Sequence, residues 1–297
     1  MNPQNQFDLF VYRIKLLIIV ILGECIKILI DLHLLCPLRY AEKGNNENPR
    51  LILSLTSYGR RVNNVYYTII SLLRQTMKPD MVVLWLDKEH WNDNNIPDRL
   101  FRLQKKGLTI KYCKDLKSYK KLIPALEEYP HSLIITCDDD IYYKSNMVER
   151  LVEAYEKDPT KIYAHRAHLI TYDSNGNLDS YNKWPEEISN MSGSQVFPTS
   201  GGGTLYNGDL LYKDVCNDEL FMKLSPKADD VWFFFMSHLN KTNSVVLPYK
   251  GFIYYPLDVV YQTLHKNSNL AYSNCNECLN DIQIKKVMDY YHIVYIR

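Results

Sequence analysis

The chain has 297 residues, 46% of them apolar and 23% charged, which suits one large globular domain with a small appendage and excludes disordered and collagen-like chains. A formal net charge of +1 gives no reason to expect a nucleic-acid partner, which calls for a clearly basic domain. Seven scattered cysteines, an odd number, argue against a secreted disulfide scaffold, and the one C-x-x-C pair, Cys275 with Cys278, lacks the second half of a zinc site.

Residues 14–36 are the most hydrophobic stretch, yet Lys15, Glu24, Lys27 and Asp31 interrupt it. Its longest charge-free run, Leu16 to Gly23, falls far short of the roughly 20 apolar residues that cross a bilayer. On a helix Arg13, Glu24, Lys27 and Asp31 share one face while leucines and isoleucines cover the rest, so the segment is an amphipathic helix with a wide apolar face. Such a helix either packs on the domain or lies on a membrane surface, and residues 13–36 are the candidate for peripheral membrane contact. Residues 1–41 form this N-terminal segment, residues 42–49 a polar linker, and residues 50–297 the main domain.

From Arg50 the chain alternates short apolar runs with helical spacing, the pattern of an α/β domain with a mostly parallel sheet flanked by helices. Strands are expected at Leu51–Leu55, Met81–Leu86, Leu108–Tyr112 and Leu133–Thr136, and helices at Asn64–Arg74, Ile96–Lys106 and Tyr119–Tyr129. Each strand runs into polar residues, and in open α/β sheets ligands bind beyond the carboxyl ends of the strands. These tips should therefore converge on one cleft. Between Arg102 and Lys121 eight basic residues face a single acid, Asp115, which predicts either a solvated positive face or a docking surface for phosphate or lipid headgroups.

The sharpest motif is Asp138-Asp139-Asp140, just beyond the apolar run 133–135 with Thr136 and Cys137 between. Adjacent carboxylates repel unless a cation neutralises them, and alternate residues of an extended segment point the same way, so Asp138 and Asp140 are candidates to share one divalent metal. Oxygen ligands select hard ions, Mn²⁺ or Mg²⁺. An acidic turn capping the next helix is the alternative. Further along come Ser54 to Arg61 (SLTSYGRR), Asp87, Asp115 to Leu126, the glycine run Gly201-Gly202-Gly203, Ala228-Asp229-Asp230-Val231-Trp232, and His265.

In this order, from Leu51 to His265, the elements resemble those of GT-A-fold (Rossmann-like) glycosyltransferases, especially bacterial family-2-like enzymes. The resemblance implies a nucleotide-binding half over residues 50–145 and an acceptor-side half over 146–297. It implies a nucleotide-sugar donor held by Thr56, Ser57, Tyr58, Arg61, Asp87, Lys117, Lys121, Asp138 and Asp139, with Gly202 and Gly203 beside the donor sugar. His265 would complete a metal shell begun by Asp138 and Asp140. In inverting members the second acid of the pair is the general base, here Asp230, with Asp229 orienting a glycan or glycolipid acceptor. Surface-polysaccharide synthesis at the inner, cytoplasmic face of the cell membrane is the implied setting. A nucleotidyltransferase and a non-catalytic nucleotide-sugar-binding scaffold are the alternatives.

Overall fold

Runs with an apolar residue at nearly every position need cover on both faces, and the expected strands at 51–55, 81–86 and 133–136 receive it, while the one at 108–112 lies half-buried at the sheet edge. The computed structural model describes residues 3–32, 50–186, 188–249, 254–259, 278–294 and 296. The strands β1 (Leu51–Thr56), β2 (Met81–Asp87), β3 (Leu108–Cys113) and β4 (Leu133–Cys137) pair in parallel, in the order β3-β2-β1-β4. Beyond β4 the eight-stranded sheet continues through β10 (Thr204–Asn207), β6 (Ile162–Ala164), β11 (Ser244–Val246) and β8 (Met191–Gly193). Only β10 and β8 run against the other six, so the expected α/β fold with a mostly parallel sheet is what the chain adopts.

Alternate residues of each strand sort into two cores, as a period of two requires. Ile52, Val83 and Ile134 face a core rich in aromatic rings, where Tyr119 stacks on Phe221 of α6 (Asp218–Leu224) at 4.0 Å and Trp232, Phe233 and Phe235 of α7 (Asp229–Leu239) are buried. Leu53, Val82, Leu84 and Ile135 face the opposite core, covered by α2 (Val65–Leu73) and α5 (Met147–Lys157). Two short ribbons lie outside the main sheet. One pairs β5 (Ile141–Tyr143) with β12 (Tyr254–Pro256), the other β7 (Ala167–Leu169) with β9 (Val196–Pro198).

The expected helices form at α2, at α3 (Asp98–Gln104) and, in part, after Tyr119. The last one splits. Residues Lys117–Lys121 make a tight 3₁₀ turn and α4 spans only Ile123–Glu128, because Pro124 lacks an N–H and fits only the first turn of a helix.

The N-terminal helix α1 covers Pro3–Asp31, starting earlier than the expected 14. It docks through Gly23, where an added Cβ would lie 2.7 Å from the Pro256 carbonyl oxygen, and through the buried Ile30. Asp31 accepts hydrogen bonds from Tyr67 Oη and Arg99 at 2.9 Å each. Ile14, Leu17, Ile18, Ile21, Ile28 and Leu32 stay exposed, Leu17 and Leu32 by about 60%. No helix among the described residues is long and apolar enough to cross a membrane. The 42–49 linker, His265 and Cys275 lie outside the described residues.

Candidate active site

The carboxyl ends of β1, β2 and β4 open on a cavity of about 1000 Å³, whose other walls are the two ribbons, the start of α7 and α8 (Leu279–Tyr291). Its lining includes Thr56, Tyr58, Arg61, Asp87, Lys117, Lys121, Asp138, Asp139, Asp140, Asp229 and Asp230. Residues from opposite ends of the chain thus meet at the strand tips, where the α/β topology leaves room for a ligand.

The two acidic groups are joined by one cation. Lys121 Nζ stands 3.0 Å from Asp138 Oδ1 and 3.0 Å from Asp229 Oδ2, with its side chain 7% exposed. The Asp138 contact is a hydrogen bond; the Asp229 contact is an ion pair in which Oδ2 lacks hydrogen-bond geometry. Burial pulls the Lys121 ammonium down, but the charges of Asp138 and Asp229 outweigh it and hold the group well above its ordinary range. Burial likewise pushes the Asp138 carboxyl up, and the Lys121 charge reverses that and leaves it lowered.

Arg61 does the same for the rest of the triplet. Its guanidinium donates to Asp139 at 2.8 Å and to Asp140 at 2.7 Å, while Ser57 Oγ donates to Asp139 at 2.6 Å. Ser57 is buried under Asp139 and stands behind the cavity wall. Burial still raises both the Asp139 and Asp140 carboxyls, Asp140 to about 7, so Arg61 compensates only part of the negative charge.

At the start of α7, Asp230 Oδ1 accepts from Ser200 N at 3.2 Å and Ser200 Oγ at 2.5 Å. Burial, and next the neighbouring Asp229, push the Asp230 carboxyl up to about 6. Ser200 opens the 3₁₀ turn Ser200–Gly202, and the same turn reaches the triplet: Tyr143 Oη accepts from Asp138 N at 2.8 Å and donates to Gly201 O at 3.3 Å.

The glycine run is explained by close packing. A Cβ on Gly202 would lie 2.7 Å from Arg166 Cβ and 2.9 Å from its backbone N, and Gly203 has a φ of +92°. Gly201 lines the cavity; Gly202 and Gly203, expected beside the donor sugar, sit behind it against Arg166 and Met147.

The expected positive face between Arg102 and Lys121 breaks up, because Lys111, Lys114, Lys120 and Lys121 have acidic partners. Lys111 pairs with Glu128, Lys114 with Asp218 at 2.6 Å, and the buried Lys120 with Asp115 at 2.7 Å. Lys117 remains exposed at the cavity wall in a left-handed conformation, φ +55°, its N–H donating to Asp115. Asp87 is buried and accepts from His90 N at 2.9 Å. His90, Lys120, Arg166, His168, Thr199 and Ser200 belong to the site and have no signature in the sequence beyond their nearness to named motifs.

For a divalent metal the donor chemistry and the charge fit. Of the acids lining the cavity, Asp138, Asp139, Asp140, Asp229 and Asp230 come from the β4 tip and the start of α7; Lys121 and Arg61 pair with four of them, and burial keeps the Asp140 carboxyl raised. Hard oxygen donors suit Mg²⁺ or Mn²⁺. Among the described residues no three ligating side chains converge on one point, so their own share of a coordination shell there is at most two carboxylates.

Comparison with known protein families matches none of them, and no curated protein sequence matches the chain. Among solved structures it is similar to CMP:2-keto-3-deoxy-manno-octonic acid synthetase complexed with CTP, over 68% of this chain and 90% of that one, at 10% identity and a TM-score of 0.40. A superposition that loose carries neither ligand nor reaction from one chain to the other.

Proposed function

We propose that this chain is a metal-dependent, inverting glycosyltransferase that moves a sugar from a nucleoside-diphosphate sugar to an acceptor hydroxyl, in surface polysaccharide or glycolipid synthesis. The observation that carries this reading is the joining of two acidic groups, distant in sequence, across Lys121 at one cavity: Asp138 at the tip of β4 and Asp229 beside Asp230 at the start of α7. In this reaction one acidic group would serve the departing diphosphate through a metal and the other would activate the acceptor hydroxyl.

Thr56, Tyr58, Asp87 and Lys117 form the wall for the nucleotide, with Lys117 the exposed cation for a phosphate oxygen. Asp138 and Asp140 would hold the Mg²⁺ or Mn²⁺ ion, which when bound stabilises charge on the departing diphosphate. Ser200 occupies Oδ1 of Asp230, so Oδ2 is the oxygen that takes the acceptor proton. As that O–H bond breaks, the acceptor oxygen bonds to the anomeric carbon, and the bond from that carbon to the diphosphate oxygen breaks with its electron pair on the phosphate. We further infer that the exposed apolar stripe of α1 rests on a membrane surface.

The test is a panel of UDP-, GDP-, dTDP- and CMP-sugars with Mn²⁺ or Mg²⁺, reading released nucleotide, with Asp230→Asn as control. Metal-dependent release of nucleotide from one donor, lost in the variant, supports the reading. Release of pyrophosphate from a nucleoside triphosphate and a sugar phosphate makes the chain a nucleotidyltransferase instead. Nucleotide binding without turnover of any donor makes it the non-catalytic scaffold, and absence of metal-dependent nucleotide binding refutes the transferase reading. For α1, co-sedimentation with anionic vesicles should be lost in Leu17→Glu/Ile21→Glu; unchanged sedimentation refutes the membrane contact.

A further inference from the structure

The cavity has a second end that the nucleotide wall does not use. Its volume of about 1000 Å³ is at the top of the range of about 300–1,000 Å³ that accommodates one small ligand. The ribbon β7–β9 closes this end, with His168 opposite Phe197 in the register and Thr199 one residue beyond the strand. The Tyr181 ring stands edge-on to both, 5.3 Å from His168 and 5.8 Å from Phe197 by ring centroids.

The ribbon is anchored from several sides. Thr199 N donates to Arg166 O at 3.0 Å, and Tyr181 N donates to Asp281 of α8 at 2.7 Å. Phe197 packs on Phe234 of α7 at 5.0 Å. These groups are therefore held in place before anything binds.

Two polar atoms here have no hydrogen-bond partner among the described residues: Thr199 Oγ1 and His168 Nδ1. Their residues are 4% and 3% exposed, and both line the cavity. Leaving a buried polar group unpaired costs about 1–3 kcal/mol, which a ligand hydroxyl reaching these two atoms would recover. Burial lowers the His168 imidazole to about 4, which makes it neutral near pH 7. A neutral imidazole and a hydroxyl each both donate and accept, the pairing that a sugar hydroxyl also offers. An aromatic ring beside them suits the C–H face of a pyranose.

We propose that the ribbon end of the cavity is a second binding site for a hydroxyl-rich, uncharged pyranoside ring, held by Thr199 and His168 beside Tyr181. Resting on the transferase reading, it is the acceptor subsite: Thr199 immediately precedes Ser200, whose N–H and hydroxyl hold Asp230, so a hydroxyl of the bound ring is delivered to the base. The acceptor's reacting end is then a sugar, and the ribbon sets which sugar.

The test uses the full chain and binding alone: saturation-transfer NMR with a panel of methyl hexopyranosides, with and without UDP or GDP and Mn²⁺. At least one glycoside should bind at millimolar concentration. Thr199→Val and His168→Phe should each weaken it at least five-fold, Thr199→Ser should restore it, and nucleotide affinity should stay within two-fold. The proposal is overturned if no glycoside binds, if both variants bind as wild type does, or if inorganic pyrophosphate displaces the glycoside from this end. Glycoside binding without any nucleotide binding would sink the transferase reading and leave the subsite standing. Nucleotide binding without glycoside binding would do the reverse.

Discussion

Lys121→Met keeps the side chain's length and removes the charge between Asp138 and Asp229. Both oxygens are 3.0 Å from Nζ; Lys121 and Asp229 are almost enclosed, whereas the Asp138 side chain is 35% exposed. Breaking a buried pair by removing one partner costs about 3–5 kcal/mol, and solvent around Asp138 screens its half, which leaves about 2–4 kcal/mol at pH 8. For a domain of this size that lowers Tm by roughly 5–15 °C. The loss depends on pH. In the wild type the lowered Asp138 carboxyl contributes stability that is present above its unfolded pKa and lost as pH falls through its folded one. Lys121 also pulls Asp230 down, so in the variant Asp230 is raised further and binds protons in the folded state first, which stabilises the variant as pH falls. The gap between the two proteins should thus shrink toward pH 4. Thermal melts of both at pH 8, 6 and 4 measure it, with Lys121→Arg as a partial rescue. A Tm loss below about 2 °C at pH 8, or one that is the same at all three values, refutes the electrostatic account.

Asp230→Asn should cut turnover by about 10²–10⁴ while nucleotide affinity holds, since it removes the base and keeps the shape; near-normal turnover with a confirmed acceptor would end the assignment. The raised Asp230 carboxyl must be ionised to act, so the wild-type rate should rise with pH through about 6 and level off above it, measured as initial rates across pH 5–8. Adding Mn²⁺ at about a hundred times its Kd should stabilise the wild type by about 2.7 kcal/mol, read as a Tm increase, and Asp140→Ala should abolish that increase. Gly202→Ala places a methyl 2.7 Å from Arg166 Cβ and 2.9 Å from its backbone N, so urea unfolding should show a loss of about 1–3 kcal/mol; a loss below 0.5 kcal/mol would mean that the turn yields freely.

Much of the first half was legible because its signals are local. β1, β2, β3 and β4 are apolar at almost every position, and their polar tips gave away the cleft. Asp138 to Asp140 stood out because like charges in a row need a partner. What escaped were partners brought in from afar. Lys121 is expected from the sequence to hold the donor, and only the fold sets Asp138 and Asp229 on either side of it. The glycines at 202 and 203 signalled close approach correctly, but the approaching groups are Arg166 and Met147. Ser200, Thr199 and His168 are lone polar residues in short strands and turns, where neither period nor motif marks them. The split after Leu122 turns on a single proline.

The seat of Gly23 on Pro256 links α1 to the acidic turn. Pro256 pairs with Ile141, and the next residue, Leu257, donates its N–H to the Asp140 carbonyl at 2.8 Å. A load applied along α1, by whatever surface its aliphatic stripe rests on, can reach the acidic turn through the β12–β5 pairing and the Leu257 hydrogen bond to Asp140. The helix is a handle whose blade is the carboxylate triplet, and the missing side chain at position 23 sets the play between them.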